Sequence, residues 1–241
     1  GINFAKENGF SLIIALDCGI KALDKIEYAS SLGIDFIICD HHLPGEELPK
    51  AFAVLDPKRT DCRYPYKELS GCGVGFKLCQ GLNTIYKIPE NELYELTDLL
   101  AISIAADIVA MTGENRVLAK LGLKTLRKTR KLGIRLLIPE EKIATFDISN
   151  VVFEIAPKIN AAGRISHGKA AVELMISDNL KHAHQIVNDI LNLNDSRREL
   201  DANITQSAFN QVIETQQENN FTTVVYHNEW NKGVIGIVAS R

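Results

Sequence analysis

The chain changes its hydrophobic period several times, and each change marks an element. Residues 12–16 form an unbroken apolar run that ends in Asp17-Cys18-Gly19. Residues 36–39 form a second run, which ends in Asp40-His41-His42 and is followed at once by a Pro44-Gly45 turn. Short, partly β-branched runs of this kind predict buried parallel strands, here over 12–17 and 36–40. Between them Ile20, Leu23, Ile26 and Ala29 recur at helical spacing, which predicts a helix over 21–31. A strand–helix–strand unit implies a parallel pair joined by a right-handed crossover. Residues 51–55 predict a third strand, ending in Asp56-Pro57, and a polar, turn-rich loop follows over 58–70.

Helical patterns dominate the remainder. Gly71-Cys72-Gly73-Val74-Gly75 leads into an apolar helix over 76–86, and 92–109 reads as the most apolar helix, with Asp107 near its end. A helix over 115–130 runs into a basic cluster of Lys124, Arg127, Lys128, Arg130, Lys131 and Arg135. Another begins at 149–156, is interrupted by Pro157, and is followed by Asn160-Ala161-Ala162-Gly163-Arg164. From 180 to 216 the spacing is helical over an unusual length, which reads as a connector between two lobes. Residues 222–226 predict a new strand, and 230–239 open a second α/β unit. The fold class is therefore α/β: a parallel sheet flanked by helices, a long connector helix, and the start of a second α/β lobe. The expected segments are 1–179, 180–216 and 217–241.

Composition narrows the function classes. The 241 residues are 46% hydrophobic, ample for a core, and carry a net charge of −3. There is no global basic field, so nucleic-acid binding must use a local patch. Cys18, Cys39, Cys62, Cys72 and Cys79 contain no C-x-x-C pair and read as reduced cytosolic thiols. No apolar run approaches the roughly 20 residues that span a bilayer. Residues 1–10 lack a signal-peptide core. The protein is thus expected to be cytoplasmic and off the membrane. It opens almost directly on a strand and stops inside an apolar segment, so a piece of something longer is expected.

In open α/β sheets ligands sit beyond the carboxyl ends of the strands. Asp17, Asp40, His41 and His42 stand there. A lone Asp at such a place often caps the next turn, and a lone His is common on surfaces. Two neighbouring strands that each release an Asp, one with two imidazoles after it, suit a divalent cation better than a core. Asp107 adds a third candidate ligand, because a carboxylate in an apolar helix is costly to bury unless paired or metal-bound. The glycine-rich entry at 71–75 offers backbone N–H groups to a phosphate, or simply close helix–sheet packing. The basic cluster is a solvated face or a contact for a nucleic-acid backbone. Small residues beside Arg164 let a phosphate approach a forked donor.

These residues resemble the DHH phosphoesterase superfamily and, within it, the RecJ-type single-strand-specific exonucleases. The likeness rests on Asp17-Cys18-Gly19, Asp40-His41-His42, the 70–78 stretch from Ser70 to Leu78, Ala105-Ala106-Asp107, the 159–164 stretch ending in Arg164, and 233–241. It implies stepwise cutting of single-stranded DNA from the 5′ end with two Mn²⁺ or Mg²⁺ ions, in DNA repair and recombination. Carried over by motif, Asp17, His41 and Asp107 would be metal ligands, with Asp17 bridging. Asp40 would orient His41, and His42 would contact the scissile phosphate. Arg164, Asn160, Ser240 and Arg241 would hold substrate. A single-strand-binding protein or a helicase would be a partner. Mixed carboxylate and imidazole ligands suit Mn²⁺, and two-metal hydrolysis places the ions roughly 3.5–4 Å apart. An Asp-x-Asp motif expected of the family is not found in residues 1–10, and Asn231 stands where such sequences usually have His after Trp. Those departures, with the stop at Arg241, lead to the expectation of a weak or inactive nuclease. Other readings are a DHH phosphodiesterase on short oligonucleotides or cyclic dinucleotides, and a non-catalytic replication scaffold.

Overall fold

The computed structural model describes the backbone of residues 1–107, 109–165 and 168–240, and the side chains of these except 164 and 165. The chain divides into two compact units, 1–129 with 143–152, and 130–142 with 153–241.

The first unit is built on a parallel sheet of three strands in the order β1-β2-β3: β1 Leu12–Leu16, β2 Asp35–Cys39 and β3 Ala53–Leu55. Leu16 is in register with Cys39, and Cys39 with Leu55, so all three carboxyl ends open on one edge. Alternation along β2 sends Phe36 towards α1 (Ile2–Glu7) and α2 (Leu23–Ser31), where Ala5, Ala29 and Ile34 are buried. Ile37 and Cys39 face the other way, into a core of Leu69, Val74, Phe76, Leu100, Ile104, Leu118 and Ala119. That core is closed by α3 (Gly71–Tyr86), the short α4 (Glu90–Tyr94), α5 (Thr97–Ala106) and α6 (Gly113–Leu126). Helices α5 and α6 approach closely enough that a Cβ on Gly122 would overlap the Thr97 carbonyl.

Several expectations need correction. β1 is not a buried strand: it is an edge, and Leu12, Ile14 and Leu16 are each about half exposed (44%, 46% and 54%). The glycine run does not precede a helix; it is the first turn of α3, with the Ser70 hydroxyl accepting the Gly73 N–H at 3.2 Å. The expected helix over 92–109 is two helices, with a break at Glu95-Leu96.

In the second unit, α11 (Leu180–Glu214) runs unbroken for 35 residues and packs against α7 (Leu132–Leu137), α9 (Ala156–Ile165), α10 (Lys169–Ile176) and α12 (Lys232–Val238). The compact units do not follow the expected segments, because helices before residue 180 pack on α11. The 3₁₀ turn at Glu140–Thr145 and the short α8 (Ile148–Asn150), which belongs to the first unit, lead to a π-helical turn at Val151–Ile155. Pro157 does not end the helix, since helical residues run on from Ile148 to Ile165, but the α-pattern widens into the π-helical turn at Val151–Ile155 immediately before it. Residues 222–226 form no strand. Two glutamine side chains stand in for a neighbouring strand: Gln217 brackets the backbone of Val224 at 2.8 and 3.0 Å, and Gln211 that of Tyr226 at 3.2 Å on both sides. No second sheet exists among the described residues. Asn231 caps α12, its Oδ1 accepting the Gly233 N–H at 2.8 Å.

Candidate metal centre

The edge of the sheet becomes chemically active because the chain leaves β1 abruptly. The Asp17 N–H still pairs with the Cys39 carbonyl at 2.8 Å, but Asp17 itself is left-handed, at φ 63°. A non-glycine residue held there marks a backbone fixed by its surroundings, a condition that gathers at functional sites. The turn is completed by Gly19 at φ 114°. The Asp17 carboxylate lies against the start of α3, where a Cβ on Gly71 would overlap it. Glycine at 71 is what allows the helix and the acid to share that space.

His41 is the second residue beyond β2 and is buried. Its Nδ1 lies 3.0 Å from the Leu69 carbonyl, an acceptor, so the ring hydrogen belongs on Nδ1 and Nε2 carries a bare lone pair. That Nε2 faces Asp17 Oδ1 at 3.1 Å and Asp107 Oδ2 at 3.3 Å. Asp107 reaches it from the C-cap of α5. His41 Nε2 and Asp107 Oδ2 are both buried without a hydrogen-bond partner. A lone pair between two carboxylate oxygens is repulsive unless a cation or a proton lies among them. The donor set, two carboxylates and a neutral imidazole, fits Mn²⁺ or Mg²⁺. Burial first, and the Asp107 charge second, push the Asp17 carboxyl above its usual range.

Asp40 reaches His41 through the backbone and His42 through both backbone and ring. It is buried and accepts four hydrogen bonds: from the Ile20 N–H at 2.9 Å, the His41 N–H at 2.8 Å, the His42 N–H at 3.2 Å and the His42 Nδ1 at 2.6 Å. It therefore fixes the His41 backbone and the His42 ring, whereas the Leu69 carbonyl orients the His41 ring. Burial would raise the Asp40 pKa, but the hydrogen bonds from Ile20, His42 and His41 outweigh it and hold the carboxyl below the usual range. The same bond to Asp40 raises the His42 pKa. The two imidazoles meet edge to face, centroids 4.7 Å apart. One ligand atom each from Asp17, His41 and His42 lie within 4.8 Å of one another, so His42 is itself close enough to share an ion. Burial pushes the nearby Cys72 thiol up to about 11, so it stays protonated and is a poor ligand.

The remaining candidates for holding substrate belong to the second unit of the chain. Asn160 is exposed on α9, and the Ser240 hydroxyl donates to the Ile237 carbonyl at 2.7 Å. The Arg164 side chain and Arg241 lie outside the described residues. In the basic cluster, Arg127 Nε donates to the Phe146 carbonyl at 3.0 Å, so at least that member has a structural task. Leu69 was not legible as a site residue, since a backbone carbonyl leaves no mark in sequence. Gly71 was visible only as part of a glycine run.

Residues 3–104 match the DHH family, N-terminal domain. Over 98% of its length the chain is 42% identical to the single-stranded-DNA-specific exonuclease RecJ of Bacillus subtilis (strain 168), of which it spans 29%. Among solved structures it is similar to an exonuclease RecJ bound to manganese, with a TM-score of 0.86 and 30% identity, covering 99% of this chain and 59% of that one. It is also similar to RecJ of Thermus thermophilus in complex with Mn²⁺, with a TM-score of 0.85 and 28% identity, covering 99% of this chain and 35% of that one.

Proposed function

We propose that this chain, with its DHH-type N-terminal domain, forms the catalytic part of a Mn²⁺- or Mg²⁺-dependent exonuclease that hydrolyses single-stranded DNA from the 5′ end. The observation that carries the reading is the His41 Nε2 facing Asp17 and Asp107, a donor set that is unfavourable unless a cation or a proton lies among them. The likeness to single-strand-specific exonucleases supports the choice of substrate.

Asp17, His41 and Asp107 would hold the metal, and a divalent ion bound there would supply an acidified water and charge neutralisation at the attacked phosphate. The Leu69 carbonyl keeps His41 in the tautomer that presents Nε2. Asp40 orients His42 and favours its protonated form. With Nδ1–H committed to Asp40, the second ring nitrogen of half-exposed His42 donates a proton or a hydrogen bond to a phosphate oxygen. Arg164 and Asn160, with Ser240 and Arg241, are assigned to the DNA backbone. The activity belongs to DNA repair and recombination in the cytoplasm, with a single-strand-binding protein or helicase as protein partner.

The test is digestion of single strands labelled at the 5′ or the 3′ end, with Mn²⁺ and with excess chelator, for the wild type and Asp107→Ala. Mn²⁺-dependent release from the 5′ end, lost in the variant, is the expected result. Release from the 3′ end, or trimming that survives the chelator, contradicts the assignment.

A further inference from the structure

We propose that Asn115 is a positioning residue of the metal centre, acting through two backbone carbonyls to fix the spacing of the His41 and Asp107 arms. The inference rests on the metal-centre reading above. Asn115 is in the first turn of α6, fully buried, and its Nδ2 donates to the Glu68 carbonyl at 2.5 Å and to the Ala110 carbonyl at 3.0 Å. A primary amide has two N–H groups, and both are used on acceptors from different segments. Glu68 adjoins Leu69, whose carbonyl sets the His41 ring. Ala110 lies three residues beyond Asp107. One side chain therefore spans the base of both arms, although it touches neither ligand.

The neighbouring contacts repeat the same link. Tyr66, from the loop that carries Glu68, donates to the Ala110 carbonyl at 3.1 Å or the Thr112 carbonyl at 2.8 Å. A Cβ on Gly113 would overlap the Tyr66 ring, so glycine there lets the two segments close. Tyr64 donates to Glu114 Oε2 at 2.5 Å. The loop is thus stitched to the entry of α6, and Asn115 is the fully buried stitch, tied to the residue before Leu69. Metal–ligand bonds tolerate only roughly 0.2 Å of error, so loosening the base of one arm weakens the ion even when every ligand is present. Outer groups that orient ligands typically change metal affinity by roughly 10–100-fold when removed.

The experiment is Mn²⁺ titration calorimetry on the whole chain, comparing wild type, Asn115→Ala, Asp107→Ala and Leu118→Ala. Leu118 packs in the apolar core on the same helix, so its variant reports plain destabilisation. Expected is a Kd for Asn115→Ala raised by roughly 10-fold at unchanged stoichiometry, no uptake by Asp107→Ala, and a wild-type Kd with a lower Tm for Leu118→Ala. A merely unfolded fraction lowers the stoichiometry and leaves Kd alone. Wild-type Kd in Asn115→Ala, or the same rise in Leu118→Ala, overturns the inference and leaves the metal centre standing. No uptake by the wild type overturns both. If Asn115→Ala does not fold, Tyr66→Phe decides: a smaller rise in Kd supports the clasp, and an unchanged Kd refutes it.

Discussion

His41 Nε2 stands 3.1 Å from Asp17 Oδ1, with the ring's own hydrogen on the opposite side, against the Leu69 carbonyl. The pair is adverse when neither atom carries a proton and no metal is bound, and favourable once a cation lies beside it. Asp17→Asn offers an amide N–H to the bare nitrogen, a hydrogen bond contributing about 1 kcal/mol. The variant is expected to melt higher than the wild type without metal and to lose the rise in Tm that Mn²⁺ gives. Thermal denaturation with and without Mn²⁺ reads both effects. The pH dependence has a definite sign. Asp17 binds its proton more tightly folded than unfolded, so its contribution to metal-free stability falls as pH rises from 3.8 through the folded value. Asp17→Asn removes that slope.

Asp40 predicts the opposite slope. Its folded pKa is depressed, so its contribution is present above 3.8 and is lost as pH falls through the folded value. His42 reports the same contact. Its pKa lies above 6.5 because of Asp40, and its share of stability is complete below 6.5 and lost as pH rises through the folded value. NMR titration of His42 in metal-free protein should show its midpoint falling in Asp40→Asn. An unmoved midpoint would mean that the 2.6 Å contact does not persist in solution.

Gly71→Ala tests the fit between α3 and the metal centre. The added methyl occupies the space of the Asp17 carboxylate. Overpacking of this kind costs roughly 1–3 kcal/mol, and here it also displaces a ligand. Denaturant unfolding should show the lost stability, and calorimetry a weaker Mn²⁺ site.

Gly122→Ala is the matching test away from the site. The methyl would meet the Thr97 carbonyl and the Ala101 side chain where α5 and α6 touch. A stability loss of roughly 1–3 kcal/mol is expected, with the Mn²⁺ Kd close to wild type. A large change in Kd would mean that the α5–α6 contact governs the position of Asp107.

Much of the first unit was legible in the residues themselves. Apolar runs that each end in a carboxylate give β1 and β2 to within two residues, and the cost of burying a charge singled out Asp107 in an apolar helix. What escaped has physical reasons. The exposure of Leu12, Ile14 and Leu16 depends on the strand order, which a single run does not encode. Residues 222–226 have strand-like composition, yet Gln211 and Gln217 satisfy backbone groups that a neighbouring strand would otherwise take. Pro157 reads as a breaker, but the helical run continues through it, with the disturbance taken up by the π-helical turn just before it. The Leu69 carbonyl and the Asn115 amide act through main-chain acceptors, which only the fold brings together.

The most direct measurement is anomalous X-ray scattering at the manganese edge from crystals of this chain soaked in Mn²⁺. The expected result is a peak bonded to Asp17, His41 Nε2 and Asp107, with His41 Nδ1 still against the Leu69 carbonyl. A peak elsewhere, or none at saturating Mn²⁺ with His41 Nε2 still in place between the two carboxylates, would contradict it.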